Sequence, residues 1–150
     1  MPATSRIRIR QAGKAHDGHW QNLADKESTI NPRFDNLGEL DRNALLEEMR
    51  LASVMVMSSF MEGGANAVSE AILIGLPVLA SRIDGNVGLL GEDYPAYYEA
   101  GDTSALQALL QRAEEDQDWL NELRSHLDRL RPAFLVSRER ENIAHLLANL

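Results

Sequence analysis

Glu62 and Glu70 stand eight positions apart in the stretch Ser59 to Ser81, which reads SFMEGGANAVSEAILIGLPVLAS. Gly63 and Gly64 follow the first glutamate, and Gly75-Leu-Pro77 interrupts the apolar run after the second. If a helix begins near Ala65 and Asn66, its first amide N–H groups have no partners inside the helix. They carry the positive end of the helix dipole, which suits phosphate. Side chains at positions 63 and 64 would obstruct a diphosphate, whereas glycine lets the backbone approach. Glu70 lies four residues beyond Asn66, on the same helical face and about 6 Å farther along the axis. Helical side chains lean toward the N-terminus, so this carboxylate is expected to point back at the loop and to suit a ribose diol. Glu62 has a different task, because an anion at the helix start would compete with phosphate. It suits sugar hydroxyls or positive charge developing in a transition state. The same residues also fit a tight turn and an amphipathic helix with an exposed acid, and spacing alone does not separate the two readings.

The elements that would position these residues alternate. Arg6 to Gln11 has period two and reads as a strand, ended by Ala12-Gly13. His16 to Lys26 reads as a helix, interrupted by Pro32, and Phe34 to Leu37 as a short strand closed by Gly38. Asp41 caps a helix running through Leu51, with Leu45, Leu46 and Met49 at helical spacing. Val54 to Met57 is a continuous apolar strand of the kind buried on both faces of a parallel sheet. The helix of the opening stretch comes next, ended by Gly75 as a left-handed cap. Val78 to Ser81 is the following strand and Ala96 to Tyr98 a weak last one. Three helices are expected after that, over Ser104 to Ala113, Asp118 to Leu130 and Arg138 to Leu150. This order predicts an α/β fold of about five parallel strands with helices on both faces. Ligands of such sheets sit outside the carboxyl ends of the strands, where the Glu62 loop falls.

Composition narrows the function. The 150 residues suffice for one domain with a core, and 44% of them are hydrophobic. No run approaches the roughly 18 apolar residues of a membrane span, and MPATSRIRIR lacks the apolar stretch of a secretory signal. Cysteine is absent, which removes thiolate metal sites and agrees with a cytoplasmic setting. The net charge of −8 argues against general nucleic-acid binding. A bound nucleotide would have to be held by local geometry, which again selects the helix start.

The motif Glu62-(seven residues)-Glu70-Ala71, followed by Gly75-Leu-Pro-Val78, resembles the signature of GT-B glycosyltransferases of family 4. The resemblance implies a three-layer, Rossmann-like half of a GT-B fold, the C-terminal domain that binds a nucleotide sugar such as a UDP-sugar. It implies that Glu70 binds the ribose, that Gly63, Gly64, Ala65, Asn66 and Ala67 face the diphosphate, and that Glu62 acts at the donor sugar. Leu37 and Gly38 match the segment bordering the base. More narrowly, MEGGANAVSEA, PVLASRIDGNVGLLGEDYPAYY and GDTSAL are similar to the selenosugar synthases of selenoneine pathways, which implies selenophosphate as acceptor. GT-B enzymes resemble one another in needing no metal, so no cofactor is implied.

Departures from the family accompany the match. Neither the N-terminal acceptor domain nor the first strand and helix of the C-terminal domain is found. The Arg/Lys pair that usually grips the diphosphate has no counterpart; Lys14 and Arg82 lie nearest and match no motif position. Without its first strand the sheet is expected either to close up in the order 2-1-3-4-5 or to be completed by another chain, including a second copy. Turnover by this polypeptide alone is not expected. A non-catalytic module needing a partner, and an epimerase of the same architecture, are the alternatives.

Other residues also carry groups capable of chemistry. His16 and His19 beside Asp17 read as solvated helix histidines rather than metal ligands. Asp116-Gln-Asp118 reads as a capping turn. Arg82 to Asn86 fits either a segment closing on the donor, with Arg82 offsetting phosphate, or a polar turn. Tyr94, Tyr97 and Tyr98 are expected to pack against the terminal helices. Trp119, Leu120, Leu123 and Leu127 form a helical core stripe.

Overall fold

The computed structural model describes residues 4–15, 17–61 and 66–135. Strands and helices alternate as β1 (Ile9–Ala12), α1 (Gly18–Ile30), β2 (Phe34–Gly38), α2 (Arg42–Leu51), β3 (Met55–Met57), α3 (Asn66–Ile74), β4 (Val78–Ser81), α4 (Asp84–Leu90), β5 (Tyr97–Tyr98), α5 (Thr103–Glu115) and α6 (Gln117–Leu130). A 3-10 turn over Arg131–Phe134 follows. Every strand pairing is parallel. The α/β architecture with parallel strands is therefore as expected, and the helix over Arg138 to Leu150 lies outside the described residues.

The chain divides into two compact units, Met1–Glu48 and Met49–Leu150. In the first, β1 runs beside β2 with Ile9 opposite Phe34, and a shift after Gln11 brings Ala12 opposite Gly38. Asp17 caps α1 by accepting from the amides of His19 and Trp20. The Asn36 amide donates to Ser28 Oγ at 2.8 Å, which ties β2 to α1.

In the second unit β4 is the middle strand, paired with β3 on one side and β5 on the other. All four of its residues are buried, which is why it reads as Val-Leu-Ala-Ser rather than as an alternating strand. Val68, Ala71 and Ile72 of α3 and Trp119, Leu120, Leu123 and Leu127 of α6 supply further core side chains. The stripe on α6 thus packs as predicted. Asp116 ends α5 and caps α6, accepting from the Trp119 amide at 2.8 Å. That bond, with Arg112 alongside, holds its carboxyl below the usual range.

Three expectations need correction. Among the described residues the strands form two ladders, β1-β2 and β3-β4-β5, and the order 2-1-3-4-5, one of the two alternatives expected, is not seen. All four residues of β1 are exposed, Arg10 among them, and charged side chains on a strand discourage further edge pairing. β3 is not buried on both faces: Val56 is 40% exposed, and Met55 and Met57 are half-buried. Residues 84–90 form a helix rather than a polar turn.

Candidate functional site

The local sequence explains where α3 stops. β3 ends at Met57, the chain leaves through Ser58 to Met61, and α3 begins at Asn66. Gly75 ends the helix with φ +73°, a conformation that costs glycine nothing. A β-carbon there would also sit 2.8 Å from the Arg131 guanidinium, whose Nε lies 3.4 Å from the Ile72 carbonyl. The glycine therefore serves both the turn and a close approach.

Of the predicted site residues, Asn66 is exposed as the first residue of α3, and Ala67 is half-buried beside it. Glu70 is half-buried in the next turn. Helical spacing places Asn66 and Glu70 on one face, one turn apart. Glu62, Gly63, Gly64 and Ala65 lie outside the described residues. Leu37 and Gly38 close β2 in the first unit, both half-buried. Gly38 has φ +65°, its amide donates to Asn36 Oδ1 at 3.2 Å, and its carbonyl accepts from the Gly13 amide at 2.8 Å. Leu37 lines an open cleft of about 680 Å³ together with Arg8, Arg10, Phe34, Asp35 and Asn36. Its two cations are paired at the surface, Arg8 with Asp35 at 3.1 Å and Arg10 with Glu48 at 3.0 Å.

The carboxyl end of β4 differs from expectation. Arg82 pairs with Glu92 at 2.8 Å and lies 5.2 Å over the Tyr97 ring, so its guanidinium is already engaged within the chain. Burial pushes the Tyr97 hydroxyl up to about 12, with Arg82 opposing the rise. Asn86 is fully buried in α4 and donates from Nδ2 to the Ser81 carbonyl at 2.9 Å and to Ser81 Oγ at 3.3 Å. Ser81 Oγ in turn donates to the Ser59 carbonyl at 2.7 Å. Sequence reading did not single out Ser81. Its signal was slight: a polar residue closing an otherwise apolar central strand.

Tyr94 and Tyr98 are buried. The Tyr94 hydroxyl donates to the Val78 carbonyl at 2.8 Å and accepts from the Val78 amide at 3.0 Å. Its ring stands edge-on to His126 of α6 at 5.2 Å, which is packing against a terminal helix as expected. Among the described residues no cluster of three His, Asp or Glu side chains could hold a metal ion. No helix among them is long and apolar enough to cross a membrane.

Comparison with known proteins identifies the architecture. Residues 5–129 match the family described as glycosyl transferases group 1. Among curated proteins, none matches the chain. Among solved structures, Anabaena Alr3699/HepE in complex with UDP-glucose is 20% identical with TM-score 0.81, covering 97% of this chain and 42% of that one. The same protein in complex with UDP gives 19% identity and TM-score 0.80, with 96% and 41% covered. Sucrose-phosphate synthase from Thermosynechococcus elongatus gives 20% and 0.71, with 95% and 39% covered. This chain thus spans about two-fifths of the length of these structures. With the family matched over most of the sequence and the fold shared, the chain belongs to the glycosyl transferases group 1, and its architecture is that of half of a GT-B fold.

Proposed function

We propose that this chain is the C-terminal, nucleotide-sugar-binding domain of a GT-B glycosyltransferase and that its donor is a UDP-sugar. The observation that carries the reading is the succession of β3 and α3, with half-buried Glu70 one turn beyond Asn66, the first described residue of the helix. Family membership and the likeness to a fold crystallised with UDP and UDP-glucose support it. In this reading Glu70 accepts from the ribose hydroxyls. The amides of Gly64, Ala65, Asn66 and Ala67 take the diphosphate, Gly63 leaves room for it, and Glu62 serves the donor sugar. Leu37 and Gly38 are assigned to the base. The helix start would stabilise the leaving diphosphate as the glycosidic bond breaks.

Selenophosphate as acceptor, a cytoplasmic setting, and completion of the acceptor side by an N-terminal domain or by another chain belong to the same proposal. Calorimetric titration of the purified protein with UDP and UDP-glucose tests its core. Binding is expected, and Glu70→Gln should weaken it by about tenfold or more, the loss of a charge-assisted hydrogen bond. Glu92→Gln, which breaks only an exposed ion pair, should leave it unchanged. No heat with either ligand would refute the assignment.

A further inference from the structure

We propose that Ser81 and Tyr98 are positioning residues that fix the carboxyl end of β3, and that Asn86 orients Ser81 for that task. The backbone ladder between β3 and β4 ends at the pair Met57 and Ala80. Beyond that point side-chain hydroxyls continue it. Tyr98 donates to the Met57 carbonyl at 3.2 Å, and Ser81 donates to the Ser59 carbonyl at 2.7 Å. The direction of the serine proton is set by its neighbour. Asn86 offers Ser81 only N–H donors, so the hydroxyl accepts from the amide and spends its own proton on Ser59.

The amide cannot turn round, since that would set its oxygen against the Ser81 carbonyl. Asn86 Oδ1 is buried with no hydrogen-bond partner among the described residues. The two bonds from Nδ2 to Ser81 hold the amide in this orientation. Phe60, the next residue, is 76% exposed, so the fixing ends at Ser59.

The consequence rests on the reading above, in which the chain after Ser59 leads to the diphosphate site. Fixing Met57 and Ser59 would set where that segment departs and so tune affinity for phosphate more than for nucleoside. The test compares UDP with uridine on the full chain, using calorimetry for UDP and ligand-observed NMR for uridine. Ser81→Ala is expected to raise the Kd for UDP by about tenfold while moving that for uridine by less than about twofold. Tyr98→Phe, a milder change, should act in the same direction by about threefold and keeps the proposal testable if Ser81→Ala does not fold. A purely structural role would weaken both ligands equally, and that result, or an unchanged UDP affinity in the folded variants, overturns the inference. Wild-type protein that binds neither ligand overturns the nucleotide-sugar reading itself and this inference with it.

Discussion

Tyr94 illustrates how one side chain can hold a strand end. Its hydroxyl both donates to and accepts from Val78, the first residue of the central strand. Tyr94→Phe removes both bonds and strips the Val78 amide of this acceptor, so a loss of about 1–3 kcal/mol in unfolding free energy is expected. The same burial raises the ionisation of Tyr94, Tyr97 and Tyr98 above the ordinary value of 10. The unfolded chain therefore sheds these protons first. Stability from this source is complete below pH 10 and declines as pH rises toward about 12, where folded Tyr97 ionises. Thermal melts between pH 9 and pH 11.5, run on wild type and Tyr94→Phe, should show a shallower alkaline decline in the variant. A steeper one would contradict the buried-phenol account.

The boundaries of α3 matter more to the proposed site than its length. Asn66 is its first described residue, and its stop at Gly75 sets the entry into β4 through Leu76 and Pro77. Gly75→Ala forces a β-carbon into a left-handed conformation and toward the Arg131 guanidinium. The backbone part of that cost is about 1–2 kcal/mol, and chemical denaturation should measure it. Adding Arg131→Ala removes the contact but not the backbone strain, so the double variant should recover little. Near-complete recovery would locate the cost in the guanidinium instead. α4 shows the opposite balance. Asp-Gly-Asn-Val-Gly-Leu-Leu has poor helix propensity, yet it is helical because Asn86 and Leu90 are buried. The Tyr97 hydroxyl also lies 2.9 Å from the Gly91 carbonyl at its end.

Burial is unevenly shared along the chain. Among the described residues every buried side chain belongs to Met49 or beyond, and none to the first unit. The first unit relies instead on a two-strand ladder, a capped helix and surface ion pairs such as Arg8 with Asp35, which contribute little individually. Amide hydrogen exchange should therefore be at least about tenfold faster in β1 and α1 than in β4 and α6. Equal protection throughout would show that the core of the second unit is not what limits opening.

Much of the architecture was legible from local chemistry. Val78 to Ser81 was readable as a strand because a short apolar run follows Gly75-Leu-Pro77. Asp41, Gly75 and Asp116 were readable as caps because their side chains, or the lack of one, answer unpaired backbone groups. The α6 stripe was readable from its period alone. Among the proposed site residues, Asn66 and Glu70 were readable as one turn apart on one helix because helix geometry converts spacing into position. What the sequence could not decide depends on partners distant along the chain. It did not say that Val56 would be exposed, nor that the described strands would fall into two ladders. Nor did it say that Asn86 would be buried against Ser81, because hydrogen-bond partners and burial are properties of the packed chain rather than of adjacent residues.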